Sequence, residues 1–377
     1  MARIIPRRGY LMFYTGFVLG LLSFALISIY YQSWRKAESI TAEIPENLNI
    51  VFLYSSEKQG WIEEVIPLFE KYFEEKYGVK VRVELIPAGT HETINLILHG
   101  TVKPTIWSPA SSIWIPYLNK KWIEKHGGSG IVTQWVPLVF SPIVIAGWEE
   151  LVSKYNVTSF SDLYRLANEG VAFSWGHPDP TLSNGGTMVV LLEFCEAAKK
   201  RPEELTVEDI LNESVKEFVR TIESRAVRYG KSTGFFGAWA ADSGPETINF
   251  FGVYENIIID YSVKAKRKWG QRIVAVYPKF GTLLSDHPFV IINADWVSTW
   301  HRFVALELLN FLLQPEIQER AQAHGFRPAN PSVTISRDIF NEENGVAYEV
   351  KVPILKPPKG EVLEAILTVW TEVARKA

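Results

Sequence analysis

The sequence predicts an α/β protein with open, mostly parallel sheets, preceded by one apolar span. Three observations carry this. Strand and helix periodicities alternate from residue 48 onward, the first elements follow in the order β-α-β, and Gly9–Tyr31 holds no charged side chain. At 377 residues and 47% hydrophobic content, the chain can bury a core large enough for two lobes.

The span Gly9–Tyr31 is 23 residues long. Roughly 20 apolar residues cross a bilayer core, so it reads as a transmembrane helix. A cleaved signal peptide has a shorter apolar core and a small-residue cleavage site, neither of which is seen here. Arg3, Arg7 and Arg8 precede the span; Arg35 and Lys36 follow it, with Glu38, Glu43 and Glu46 beyond. The positive-inside rule puts the N-terminus in the cytoplasm and the rest outside, tethered by an uncleaved anchor.

Ala37–Asn47 is a polar linker. Leu48–Leu53 is a short apolar strand closed by Tyr54-Ser55-Ser56. Trp61, Val65, Leu68, Phe69, Tyr72 and Phe73 recur at helical spacing up to Gly78, and Val79–Ile86 alternates as a second strand. This opening predicts a parallel pair with a right-handed crossover. Thr90–Leu98 reads as a helix, Thr105–Trp107 as a strand, and Trp135–Ala146 as a long apolar strand. Pro137 and Pro142 mark that strand as an edge or crossing segment. Further expected helices are Ser161–Asn168, an amphipathic Gly185–Lys200, Thr206–Arg228 with a Thr206/Asp209 capping box, Val253–Lys268, Val297–Leu313, Pro315–Ala323 and Glu361–Lys376. Val171–Trp175, Ile273–Tyr277 and Val290–Asn293 are expected strands.

Charge and cysteine content exclude several functions. Residues 37–377 hold 34 basic against 42 acidic side chains, which argues against a nucleic-acid partner. The single cysteine, Cys195, rules out an intrachain disulfide framework, so stability must come from packing. His91-Glu92 lacks the second histidine four residues on that a zincin helix needs, so no metal is expected. His177 and His287 sit in turns before proline and suggest structural roles.

The recurring chemical feature is a strand that ends in small hydroxyl residues just before a helix. It occurs at Ser55-Ser56, at Ser108–Ser112, and at Asp179–Thr187. Helix N-termini carry about half a positive charge and offer free N–H groups, which suit an oxyanion or a sugar hydroxyl. Helix capping is the plainer reading of any one such loop. In open α/β sheets, however, loops of this kind converge beyond the carboxyl ends of the strands.

These residues resemble the extracellular solute-binding proteins of ABC importers, which have the two-lobed type II periplasmic-binding fold. Within that group, the sequence is similar to the branch related to molybdate- and sulfate-binding proteins. The resemblance runs through Pro104–Trp114, Ser141–Ala146, Gly176–Pro180 with Ser183, Asn184 and Gly185, Tyr254-Glu255-Asn256, Ala275–Pro278 with Gly281-Thr282, Asp286-His287-Pro288, and Gly325–Pro328. It implies one lobe from 48–140 and 280–377, a second from 141–279, and two crossing strands near 140–146 and 278–290. A small solute, an oxyanion or a carbohydrate, would lie between the lobes and pass to an ABC permease. No cofactor is implied. The binding residues carried over are Ser55, Ser56, Ser111, Ser112, Ser141, Ser183, Gly185, Thr187, Tyr254 and Glu255. Ser232 is added from its own loop, Lys231-Ser232-Thr233. The chain departs from the family in its uncleaved anchor, and little after Asn330 matches.

Two other functions compete. Gly230-Lys231-Ser232-Thr233-Gly234 fits the G-x-S-x-G pattern of a hydrolase elbow, with His126–Gly130 as a possible oxyanion loop. The expected helix over Val215–Tyr229 gives Ser232 no strand to stand on, which argues against it. Asp179, Asp242 and Glu255 could supply a glycosidase pair. The other alternative is a ligand sensor with no transport partner. Trp114, Trp175 and Trp239 lie near the proposed cleft loops and could stack on a sugar.

Overall fold

The computed structural model describes residues 47–374. The apolar span Gly9–Tyr31 lies outside the described residues. Among those described, no helix is long and apolar enough to cross a membrane.

The first lobe is built on β1 (Asn47–Ser55), helix α1 (Gln59–Tyr77), β2 (Lys80–Ala88), α2 (Thr90–Leu98), β3 (Ile106–Ser108), α3 (Ile115–His126) and β4 (Val136–Pro137). The long strand β5 (Val139–Trp148) leads to α4 (Glu149–Tyr155), α5 (Phe160–Asn168), β6 (Trp175–Pro178) and α6 (Asn184–Ala198). Next come α7 (Val207–Leu211), α8 (Glu213–Glu223), β7 (Ala226–Gly230), α9 (Thr233–Ser243), β8 (Phe250–Tyr254), α10 (Glu255–Trp269) and β9 (Ile273–Val276). The chain returns through β10 (Thr282–Ser285) and β11 (Pro288–Ile291) to α11 (Thr299–Leu312), α12 (Pro315–Ala323), β12 (Arg327–Pro328), β13 (Ile354–Leu355) and α13 (Gly360–Ala374).

The opening β-α-β unit forms as expected, with β1 parallel to both β2 and β3. Gly78 ends α1 with φ 68°, where a side chain would be strained. The first sheet has the order β2-β1-β3-β11-β4. Its last two members run antiparallel to their neighbours. In the second lobe, β5 pairs antiparallel with both β8 and β9, while β6 and β7 are parallel. The sheets are therefore mixed rather than mostly parallel, because the chain crosses between lobes twice and re-enters each sheet against its direction.

β5 is the first crossing strand. Val139–Pro142 pairs with β12 and β10, and Ile143–Trp148 pairs with the second lobe's strands. Pro142 stands where the pairing changes hands, as its missing N–H predicts. The return through β10 runs antiparallel to it at Ser285 and Leu284. One aromatic-rich core lies around α1, β1 and α11, and a second around α5, α6 and α8. α13 and Phe340–Val346 pack on the second lobe's clusters.

Three helix assignments are corrected. The helix expected over Thr206–Arg228 breaks at Asn212, which caps α8 through its side chain, and ends at Glu223; Ala226–Gly230 is strand β7. The helix expected from Val253 starts at Glu255, because Phe250–Tyr254 is β8, buried against β5. α6 is not amphipathic: Asn184–Glu196 is buried on every side, covered by α5, α8, α13 and β8. The strand expected over Val171–Trp175 starts only at Trp175.

Candidate functional site

The carboxyl ends of the strands meet along a seam between the lobes, where three helices begin. Ser183 and Ser232 occupy the N-cap positions of α6 and α9, yet neither side chain caps its helix. The Ser232 hydroxyl instead accepts from Ser56 Oγ of the other lobe at 2.7 Å. Ser183 Oγ lies 3.1 Å from Thr233 Oγ1. A serine that leaves its own helix uncapped keeps the N-terminal amides free for another acceptor.

Other contacts join the lobes. Trp114 Nε1 donates to Asn184 Oδ1 at 2.6 Å, and Asn184 Nδ2 donates to the Tyr254 hydroxyl at 2.7 Å. Asn256 Nδ2 donates to the Glu57 carbonyl at 3.2 Å, and the His91 amide to the Leu182 carbonyl at 3.1 Å. Glycine makes this approach possible. A Cβ on Gly234 would come within 2.7 Å of the Ser56 carbonyl oxygen, and one on Gly89 within 2.6 Å of that of Leu182.

Beneath the hydroxyls lies a buried ionic group. Glu57 accepts from Ser55 Oγ at 2.5 Å, Lys58 bonds the same serine, and Lys58 Nζ stands 3.7 Å from Glu57 Oε1. Burial drives Lys58 down to about 8, opposed by the charges of Glu57 and Asp286. Burial would raise Glu57, but Lys58 and His287 outweigh it and hold the carboxyl at about 2. Burial and the Lys58 charge together lower His287, so its ring is neutral and its Nδ1, 3.2 Å from Glu57, donates to the carboxylate. His287 Nε2 is buried without a partner, and its backbone sits at φ 38°. The Lys58 charge is thus balanced by Glu57 and Asp286.

Of the residues expected to bind, Ser56, Ser183, Gly185, Ser232 and Tyr254 meet at the seam, where a Cβ placed on Gly185 would fall 2.2 Å from Thr233 Oγ1, and Ser55 lies just beneath, bonded to Glu57 and Lys58. Ser111 caps the turn that carries Trp114, and the Ser112 amide donates to Asp286 at 2.8 Å. The remaining three are turned elsewhere. Thr187 donates to the carbonyls of Pro180 and Ser183, and Ser141 accepts from the Asn256 amide at 3.2 Å. Both Glu255 oxygens are taken by Arg327 at 2.8 Å, with Tyr277 also bonded. Sequence reasoning missed Glu57 and Lys58 and gave His287 only a structural role, while Thr233 lies in the loop expected to line the cleft; the acid–base pair directly after Ser55-Ser56 was the available signal.

The hydrolase pattern acquires a strand before it, β7, and a helix after it, α9, contrary to expectation. Ser232 nevertheless has φ −158°, ordinary extended backbone, and its partner is a serine rather than a base. His126–Gly130 ends an exposed helix, so no oxyanion loop forms there. Asp179 holds Thr181, Asp242 pairs with Lys268, and Glu255 pairs with Arg327, so the three acids form no pair. Trp175 is wholly buried and Trp239 lies under Arg228, whereas Trp114, also buried, is bonded across the seam to Asn184.

Two lobes hinged on crossing strands and meeting along a hydroxyl-lined seam define a two-lobed binding protein. Residues 50–327 match the family described as bacterial extracellular solute-binding protein. The chain belongs to that family. Similar solved structures include the sulfate-binding protein SubI from Mycobacterium tuberculosis, at 18% identity and TM-score 0.54, with 88% of this chain and 99% of that one covered. A periplasmic thiamin-binding protein aligns at 13% identity and TM-score 0.59, covering 88% and 98%. The periplasmic binding protein AfuA from Actinobacillus pleuropneumoniae, with fructose-6-phosphate bound, aligns at 16% and 0.59, covering 88% and 100%. At these identities the likeness is one of fold. No curated protein matches the chain.

Proposed function

We propose that this chain is a membrane-anchored receptor that closes two lobes over a small polar solute and delivers it to an ABC-type permease. The observation that carries the reading is the pair of N-cap serines that cap nothing and turn into the seam. Ser55, Ser56, Ser183, Ser232, Thr233, Asn184 and Tyr254 then form the contact set, while Ser141, Thr187 and Glu255 hold the elements that present it. Solute binding shifts an open–closed equilibrium by its greater affinity for the closed form. The anchor at Gly9–Tyr31 keeps the receptor at the outer face of the membrane, near its permease. An oxyanion and a sugar both fit hydroxyls and helix ends.

Thermal unfolding of the full chain in detergent, against oxyanions, sugars, amino acids and peptides, tests the reading. A ligand at 100 times its Kd stabilises the fold by about 2.7 kcal/mol, so one class should raise the midpoint. A midpoint that no class moves overturns it.

A further inference from the structure

We infer that the groove between α2, α3 and α13 is a second subsite, and that it takes the distal units of a short oligosaccharide whose first unit lies in the seam. The inference rests on the solute-receptor reading and narrows its ligand. The groove has a volume of about 850 Å³, with Trp114, Tyr117 and His91 on one wall and the α13 residues Glu361, Glu364 and Leu367 on the other. That is the size of a pocket for a large small-molecule ligand and far more than an oxyanion fills. It borders the seam at Trp114, which lines the groove and whose indole N–H donates to Asn184, itself bonded to Tyr254.

The chemistry of the walls selects among large solutes. His91 is 8% exposed and both its ring nitrogens lack a partner, although the ring packs edge-on against Trp114 at 4.1 Å. Burial lowers its pKa to about 4, so the ring is neutral and offers one donor and one acceptor. A sugar hydroxyl needs that combination. The lining carries Lys120 and Lys121 beside Glu361 and Glu364, and Lys121 pairs with Glu124 at 3.3 Å, so no field of one sign selects an ion. The floor is apolar, with Ile94, Ile113 and Leu363, as the face of a sugar ring requires. The walls are helices and turns, which offer a peptide no strand edge to pair with.

Titration calorimetry on the full chain in detergent would compare glucose, maltotetraose, cellotetraose, chitotetraose, tetraalanine and sulfate. A tetrasaccharide should bind at least tenfold more tightly than the monosaccharide. His91→Gln and Glu364→Ala should each reduce that ratio at least tenfold; Glu364 is exposed, so its variant folds even where the buried histidine's does not. If sulfate, glucose or tetraalanine binds as tightly as every tetrasaccharide, the subsite is refuted and the receptor reading stands. The same holds if a tetrasaccharide binds with a ratio that neither variant changes. If no probe binds, both fail.

Discussion

Two buried polar regions of this molecule are built to opposite rules. Inside the second lobe, Glu223 accepts from His177 at 3.0 Å, from the Tyr229 hydroxyl at 2.7 Å and from the Trp370 indole at 2.9 Å. Its donors come from β6, β7 and α13, all packed into one lobe, and they converge on a carboxylate that has no access to solvent. At the seam, Ser56 and Ser232 face each other from different lobes through hydroxyls that exchange partners easily. A polar cluster satisfied within one lobe ties elements together. One satisfied only across two lobes is free to trade its partner for a solute.

The contrast is broken most directly by Glu223→Ala, which strands three buried donors. Removing one member of a buried charged network costs about 3–5 kcal/mol, and urea unfolding should show a loss of that size with α13 released first. A loss below about 1 kcal/mol would mean that the cluster does not hold the lobe. The seam counterpart is Gly234→Ala. Alanine suits a helix, so the lobe itself should lose no stability. Its Cβ would meet the Ser56 carbonyl oxygen at 2.7 Å, so closure is obstructed. Affinity for the solute should fall about tenfold, or ~1.4 kcal/mol, by calorimetry. Unchanged affinity would show that the lobes need not approach this closely.

Glu193 sharpens the comparison from the acid side. Burial, and then the charge of Glu223, raise its pKa well above the usual carboxylate range and favour the protonated form, and both its oxygens are buried without a partner. Because the folded state keeps a proton that the unfolded chain releases, stability should fall as pH rises from about 4.3, the ordinary glutamate value, toward the folded value. Glu193→Gln keeps a donor without the titration. It should flatten that fall and gain about 1 kcal/mol near pH 8. The seam has the opposite sign: Glu57 contributes above the ordinary carboxylate range and loses that contribution as pH falls toward about 2.

The regular parts of this architecture were legible because periodicity reports burial on one face. α2 and α12 fall where spacing and flanking residues put them. α6 was misread as amphipathic because its neighbours cover every side, which no single-helix pattern reveals. β7 was hidden because Val227 and Arg228 are exposed and the segment reads as an extension of a charged helix. The seam was legible as hydroxyl-rich strand ends, but Lys58 was not. Its burial depends on the lobes meeting over it, and a lysine near a helix start normally lies in water. Glu255 shows the converse failure: its place at the start of α10 suggests a ligand contact, whereas Arg327, 72 residues away, claims both oxygens.

The smallest effect tests the premise of the contrast. If Ser183 and Ser232 capped their helices, each alanine substitution would cost about 1 kcal/mol of stability. Neither makes a capping bond, so Ser183→Ala and Ser232→Ala should each cost less than about 0.5 kcal/mol in urea unfolding. The two should then part in binding. Ser232 touches the opposite lobe and Ser183 touches Thr233 of its own, so the affinity loss should be larger for Ser232→Ala. Full capping costs with unaltered affinity at both positions would return these serines to ordinary helix ends, and the seam would have to be sought elsewhere.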